Sequence, residues 1–183
     1  MKNQNVRDKI LWITRTAVFL ALLIVWQAVS AVFGNTLITG SIVNFILIVC
    51  VMTCGLASGL TVAVISPVVA KLVGIGPLWG IIPFIMLGNV VLVLLWYFLG
   101  NLNIGHKATA HIVALIAAAA AKFLILYLGI VHIAVPVLLN LPAPQAAVVS
   151  NMFSIPQFFT ALIGGVLATI LLPTLKKAIG KVK

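Results

Sequence analysis

Long apolar runs alternate with short polar, glycine-containing or proline-containing breaks along most of this chain. A helix needs about 20 apolar residues to cross the hydrocarbon core of a bilayer, so the pattern predicts six membrane-spanning helices. Their predicted bounds are residues 13–34, 41–55, 56–73, 81–100, 108–131 and 146–172. The second and third runs are short for full spans, and only a glycine-containing turn joins them.

The segments between the runs leave no room for a soluble domain. The sequence therefore predicts an all-α integral membrane protein, a compact bundle of six transmembrane helices. Residues 13–175 form this single domain, between a basic leader at residues 1–12 and a basic tail at residues 176–183. The leader runs into a span that is too long for a cleavable signal peptide. Proline-rich residues 134–145 are expected to interrupt the helical pattern, and Pro173 is expected to end the last span.

The first span carries four alanines on one face. They share one narrow arc, about 80° wide at 100° per residue: Ala17, Ala21, Ala28 and Ala31. Small side chains let helices approach closely in a membrane. The stripe therefore either packs inside the chain's own bundle or binds a helix of another protein. The last span has a second small-residue face, which favours internal packing: Ala161, Gly164, Gly165 and Ala168.

Composition and charge narrow the class of protein further. The chain is 64% hydrophobic and 7% charged, with a mean hydropathy of +1.34, which excludes an ordinary soluble domain. Eleven Lys and Arg residues oppose one acidic residue, Asp8, but they flank the spans and form no aromatic-interleaved surface for nucleic acid. Nine of the eleven fall on one side of the predicted bundle. The positive-inside rule therefore places both termini in the cytoplasm.

The apolar spans lack the groups that energise transport or catalyse reactions. None contains Asp or Glu, and His111 and His132 lie too far apart along the fifth span to relay a proton. Cys50 and Cys54 have no nearby histidine, so they predict buried thiols rather than a metal site. No nucleophile–base pair or phosphate-binding loop is present in the sequence. The chain is predicted not to be an enzyme, to hold no cofactor or metal, and to depend on a partner for any transport energy.

Polar and aromatic residues are concentrated in the outer half of the predicted bundle. Lys122 follows Lys107 by 15 residues, which places it about 22 Å along the fifth span. Taken singly, the amides are better explained by interhelical hydrogen bonds, and Lys71 by snorkelling to the interface. Together these residues predict a pocket that is open to the outside and favours a carboxylate or phosphate. The candidate ligand-binding residues are Asn44, Lys71, Trp79, Asn89, Lys122, Tyr127, Asn151 and Gln157.

These features together resemble the substrate-binding S component of energy-coupling factor (ECF) vitamin transporters. The shared features are six spans within 183 residues, basic cytoplasmic ends, no energising site and an outer Gly-Pro-Trp loop before the fourth span. The local match is the segment from Arg15 to Leu23, which contains the family's Ala-x-x-x-Ala pattern as Ala17 and Ala21. The resemblance implies a multi-pass protein of the prokaryotic plasma membrane.

The resemblance also implies a mechanism and partners. In that family the small stripe of the first helix, here Ala17, Ala21 and Ala28, docks on a transmembrane coupling protein that carries two ATP-binding subunits. The ligand binds from the outside, in a pocket among the later helices that the first and third outer loops cover. Docking then tips the S component in the membrane, and ATP drives release of the ligand to the inside.

The expected function is high-affinity binding of a small water-soluble vitamin or vitamin precursor for ATP-driven uptake. An anionic ligand suits the two lysines, and pantothenate is the first choice. The metal-transporting subgroup uses an N-terminal histidine that has no counterpart near the start of this chain, which disfavours nickel and cobalt. The alternative is a structural or assembly membrane protein that oligomerises through its small-residue faces, and it predicts no enclosed outer cavity.

Overall fold

The structure, a computed structural model, describes the backbone of residues 2–180 and the side chains of residues 6–32 and 34–178. Within these ranges all regular structure is helical. The helices are α1 (Lys2–Phe33), α2 (Thr36–Cys54), α3 (Leu56–Leu72), α4 (Ile82–Gly100), α5 (Lys107–Leu126), α6 (Ala143–Met152) and α7 (Ile155–Gly180). A 3-10 turn (Trp79–Ile81) precedes α4, and a π-helical segment (Tyr127–Leu138) continues α5. Residues 181–183 of the predicted tail and residue 1 of the predicted leader lie outside the described residues.

Five helical stretches are long and apolar enough to cross a membrane: Val6–Val32, Thr36–Cys54, Trp79–Gly100, Lys107–Leu138 and Ala143–Ala178. A sixth helix, α3, is apolar but has 17 residues and is therefore about 25 Å long. The predicted all-helical class is confirmed, and the five apolar stretches are compatible with a multi-pass membrane protein. The sixth segment is shorter than a typical span of about 20 residues.

Helix α2 is longer than predicted because its first turn is capped. It begins at Thr36, and the carboxamide oxygen of Asn35 accepts hydrogen bonds from the backbone N–H groups of Leu37 and Ile38 at 3.0 and 3.2 Å. At its other end Gly55 takes a positive φ of 89°, which lets the chain turn directly into α3. The short second span predicted from residue 41 is therefore wrong, since α2 has 19 residues.

Three predicted helix boundaries are also wrong. Helix α1 begins at Lys2, so the described part of the basic leader continues into the first span without a break. Helix α7 passes through Pro173 to Gly180, because a proline removes only one backbone hydrogen bond and membrane helices tolerate that loss. The last span is instead broken between α6 and α7, where the N–H of Phe153 closes α6 on the carbonyl oxygen of Val149 at 3.1 Å.

The proline-rich connection predicted over residues 134–145 is much shorter in the structure. The chain continues in π-helical geometry through Pro136, and the N–H of Leu139 bonds to the carbonyl oxygen of Ala134 at 3.0 Å. This i→i+5 spacing is the hydrogen-bond pattern of a π-turn. The irregular connection is confined to residues 139–142.

Helix α2 lies at the centre of the bundle. It packs against α1, α3 and α4 and most extensively against α7, while α5 packs against both α4 and α7. Large side chains from these helices are fully buried in the core, among them Leu47, Ile48, Leu92 and Trp96. A smaller core holds the π-helical segment against the start of α4 through Ile81 and Ile130.

The small-residue face of α7 packs inside the bundle, as predicted. Ala161, Gly164 and Ala168 are buried. A Cβ atom at Gly164 would lie 2.6 Å from the carbonyl oxygen of Ser41 and 2.8 Å from the Cβ atom of Asn44. Helices α2 and α7 therefore approach too closely for any side chain here, and this contact helps to fix the position of Asn44.

Replacing Gly164 by leucine is expected to destabilise the bundle. The new side chain would have to displace the backbone of α2, and overpacking of this kind costs about 1–3 kcal/mol. We expect a lower melting temperature in detergent micelles, followed by tryptophan fluorescence. The control is Val166→Leu, which adds bulk at an exposed position of the same helix and should leave the melting temperature unchanged. An unchanged melting temperature for Gly164→Leu would contradict the close approach of α2 and α7.

The alanine stripe of α1 faces away from the bundle. Helix α1 packs on α2 and α3 with the face that carries Thr16, Leu23 and Ser30, all of which are buried. Ala17, Ala21 and Ala28 lie about 140° around the helix from this face at 100° per residue, and Ala31 lies about 80° from it. The exposed members of the stripe are Ala17, Ala21, Ala28 and Ala31. The interpretation that the stripe packs inside the chain's own bundle is therefore wrong for Ala17, Ala21 and Ala28, whereas Ala31 lines a cavity of the bundle.

Candidate binding site

One end of the bundle contains a cavity of about 410 Å³. Its walls come from the second half of α1, the start of α2, the end of α3, and from α4, α5 and the α6–α7 junction. The loops after α1 and α3 contribute Asn35 and Pro77. Lys107 and Lys176, which lie close enough to repel each other, mark the other end of the bundle. Lys122 in the cavity wall is about 22 Å along α5 from Lys107.

The side chain of Lys122 on α5 is buried in the cavity wall, with an exposed fraction of 4%. Its Nζ atom donates hydrogen bonds to the Oδ1 atoms of Asn44 at 2.5 Å and Asn89 at 2.7 Å. An ammonium group has three N–H bonds, so one remains for a further acceptor. Two neutral amides from α2 and α4 therefore hold the lysine and leave part of its hydrogen-bonding capacity open.

Further hydrogen bonds orient these two amides. The Nδ2 atom of Asn44 donates to the hydroxyl oxygen of Thr160 on α7 at 3.3 Å, and Thr160 in turn donates to a backbone carbonyl oxygen at 2.9 Å. The Nδ2 atom of Asn89 lies 3.5 Å from the carbonyl oxygen of Ala63 on α3, which is a weak hydrogen bond. The nitrogen of each amide thus donates a hydrogen bond to a neighbouring helix, and its oxygen accepts one from Lys122.

The positive charge of Lys122 has no partner within the chain. The only acidic side chain in the sequence is that of Asp8. Asp8 precedes Gln27, the first cavity residue of α1, by 19 residues, so the two lie about 28 Å apart along the helix. Burying an ammonium group without a counter-charge costs several kcal/mol, of which two neutral amide oxygens recover only a part. The cavity therefore has a positive site that an anion would neutralise.

The structure brings half of the candidate residues together. The four that line the cavity are Asn44, Asn89, Lys122 and Gln157. The four that lie outside it are Lys71, Trp79, Tyr127 and Asn151. Trp79 and Asn151 are exposed, and Lys71 is half-buried at the end of α3. The ring of Tyr127 stacks on that of Phe123, with 5.5 Å between the ring centroids.

Two of the outlying candidates sit next to a residue that does line the cavity. Ala70 contributes to the wall beside Lys71, and Leu126 contributes beside Tyr127. Neighbouring residues of a helix point about 100° apart, so a shift of one position moves a side chain out of the site. The spacing of residues in the sequence indicates their height along a helix better than their direction around its axis.

The contribution of α1 to the cavity is absent from the sequence prediction. Gln27 lines the cavity, and its Oε1 atom is buried without a hydrogen-bond partner among the described residues. Gln27 is the one amide in the apolar part of the first span, between residues 13 and 34. It lies on the same side of α1 as Thr16 and Ser30. The polar face that these three residues form is the sequence signal that identifies Gln27 as a candidate for the cavity wall.

No group of three or more His, Cys, Asp or Glu side chains is placed to hold a metal ion in the part of the chain that the structure describes. Comparisons of the chain with family models, with curated proteins and with solved structures found no match. Function is therefore inferred from the cavity and from the lysine in its wall.

Proposed function

We propose that this chain is the membrane-embedded binding subunit of an ECF-type transporter for a small anionic vitamin or vitamin precursor, with pantothenate as the first choice. The subunit binds its ligand from outside the cell. It delivers the ligand to a separate module, a transmembrane coupling protein with two ATP-binding subunits, which supplies the energy for uptake. The chain itself performs no chemical reaction in this scheme.

The buried ammonium group of Lys122 carries this proposal. A carboxylate on its open N–H bond would complete the hydrogen bonds of the lysine and neutralise its charge, and charge-assisted bonds of this kind are strong. The cavity volume of about 410 Å³ is within the usual range for small-molecule sites. A lysine with only a structural role would be expected to extend its head to water at the membrane interface instead.

Six membrane crossings with both termini in the cytoplasm would open the cavity to the outside. Positively charged residues favour the cytoplasmic side of a membrane, and Lys107 and Lys176 lie at the end of the bundle away from the cavity. Helix α3 would then cross as a short span, which local thinning of the bilayer accommodates at modest cost. A ligand in the external medium would have access to Lys122.

The exposed alanine stripe supports docking of the coupling protein along α1. Ala17, Ala21 and Ala28 offer a flat surface that a partner helix could approach closely. Gln27, which lines the cavity, lies about 80–120° around the helix from these three alanines, whereas Ala31 at the end of the stripe is itself part of the cavity wall. A partner bound along Ala17, Ala21 and Ala28 would therefore contact a different face of α1 from the one that lines the cavity.

A structural or assembly protein is the second candidate function. Oligomerisation through α1 would explain the exposed alanines equally well. This alternative gives no role to the cavity, and none to the side chain of Lys122 in its wall. Both features favour ligand binding.

Replacing Asn89 by aspartate is expected to reduce ligand retention at least tenfold. The new carboxylate would take the place of the amide oxygen that lies 2.7 Å from the Nζ atom of Lys122. It would supply the counter-charge that the ligand provides in the wild type, so the ligand would lose its electrostatic advantage. The measurement is mass spectrometry of small molecules retained by protein purified in detergent from its own host. The matched control is Asn151→Asp, which adds the same charge at an exposed position outside the cavity.

The wild type should retain a compound with a carboxylate or phosphate group, and Asn151→Asp should retain it as well. If the wild type neither retains nor binds a small anion, the proposed function is wrong. If Asn89→Asp retains as much of the compound as the wild type, the charge of Lys122 does not hold the ligand.

A further inference from the structure

Four buried side-chain atoms of the described residues have no hydrogen-bond partner: Trp26 Nε1, Gln27 Oε1, Ser41 Oγ and Trp96 Nε1. Gln27 is the one residue of these four that lines the cavity. Buried polar atoms nearly always have a partner, so an unpartnered one in a cavity wall calls for an explanation. A ligand group that donates a hydrogen bond to Gln27 would provide it.

Several other polar side chains of the wall already have partners. The carboxamide oxygen of Asn35 caps α2, and the hydroxyl of Thr39 donates to the backbone carbonyl oxygen of Asn35 at 3.0 Å. The hydroxyl of Ser30 donates to the backbone carbonyl oxygen of Gln27 at 3.2 Å. The side chain of Gln27 and the third N–H bond of Lys122 are therefore two open positions, on α1 and α5.

The charge of the wall limits the charge of the ligand. Lys122 is the single charged residue among the described residues that line the cavity. One ammonium group neutralises one negative charge, and a second carboxylate would be buried without a counter-charge, which is strongly unfavourable. A cationic ligand would be repelled. The wall therefore selects a ligand with one negative charge on an otherwise uncharged body.

We propose that the ligand is a monocarboxylate with a hydroxyl or N–H group away from its carboxylate, and that Gln27 binds this group while Lys122 binds the carboxylate. This rests on the function proposed above and narrows its ligand class. A carboxamide both donates and accepts hydrogen bonds, so a hydroxyl, an amide or a ureido group fits it. The ligand thus bridges α1 and α5.

Titration of the purified full-length protein with four probes tests this assignment. Pantothenate and biotin are monocarboxylates that also carry hydroxyl or N–H groups, octanoate is a monocarboxylate without them, and folate is a dicarboxylate. By isothermal titration calorimetry, we expect the wild type to bind pantothenate or biotin at least about tenfold more tightly than octanoate or folate. This comparison needs no variant, so it tests the ligand class even where a substitution impairs folding.

Gln27→Met is expected to lose about tenfold in affinity for the preferred probe, the equivalent of about one hydrogen bond, and to keep the octanoate affinity of the wild type. Gln27→Ala is a smaller second variant with the same expected result. The matched control is Gln145→Met, the same substitution at an exposed position of α6 outside the cavity, which should bind like the wild type.

Two results overturn this assignment while the binding role stands. One is unchanged affinity of both Gln27 variants for the preferred probe. The other is binding of folate or octanoate as tight as that of pantothenate and biotin. Wild-type affinity of Lys122→Met for the preferred probe also overturns the assignment, because the ligand would then bind elsewhere. If the wild type binds none of the four probes and retains no small anion on purification, the proposed function fails as well.

Discussion

Lys122→Met is expected to lose about 30-fold or more in ligand affinity while the protein stays folded. The substitution removes the charge and its N–H bonds but keeps an unbranched side chain in the same space on α5. Loss of one partner of a buried charge pair costs about 2–5 kcal/mol of binding free energy, and each 1.4 kcal/mol is about tenfold in affinity. Because the substitution also removes a buried charge that has no counter-charge in the empty protein, we do not expect it to impair folding.

Calorimetric titration with the compound retained by the wild type measures this loss, and gel filtration in detergent confirms that the variant is folded. The matched control is Lys71→Met, which removes the charge of a half-buried lysine outside the cavity. Wild-type affinity in Lys122→Met would show that the ligand binds elsewhere. Equal losses in the two variants would show that the net charge of the protein, and not a contact in the cavity, governs binding.

Ala17→Trp combined with Ala21→Trp is expected to abolish uptake and to leave ligand binding unchanged. Both positions are exposed and lie about 140° around α1 from its buried face, so the added bulk stays outside the bundle. It would instead prevent a partner helix from approaching the stripe closely. Uptake of the labelled ligand by cells that contain the coupling module should fall at least tenfold, while the affinity of the purified variant stays within about twofold of the wild type.

The control for this variant is Val18→Trp combined with Leu22→Trp. These two side chains are each 52% exposed, and they lie at almost the same depth about 100° further around α1. Cells with this control should take up the ligand normally. If both double variants lose uptake, α1 tolerates no added bulk and the stripe has no special role. If the alanine variant loses ligand binding, the stripe supports the bundle itself.

The central part of the candidate site could be predicted from the sequence because polar groups are costly in lipid. Lys122, Asn44 and Asn89 interrupt long apolar runs, and such residues need partners inside a membrane protein. A helix rises 1.5 Å per residue, so counting residues along each span is enough to compare their depths. This comparison assigns three residues from separate helices to one level, and the structure places them within hydrogen-bonding distance.

The direction of each side chain around its helix could not be predicted in the same way. Lys71 and Tyr127 sit beside wall residues but point elsewhere, because the rotation of a helix depends on the helices packed against it. Pro173 does not end α7, since one missing hydrogen bond does not outweigh the packing of the helix on α2 and α5. Gln27 is missed when the first span is judged by its small residues alone.

The hydrogen bond between Asn44 and Thr160 has a consequence for the biogenesis of the protein. It joins residues that are 116 positions apart in the chain. At a synthesis rate of about 5–20 residues per second, Asn44 is made about 6–23 s before Thr160. Throughout this interval the amide nitrogen of Asn44 on the newly inserted α2 lacks its hydrogen-bond partner on α7. Chains that stall before α7 is inserted would therefore be the ones most exposed to the proteases that remove incomplete membrane proteins.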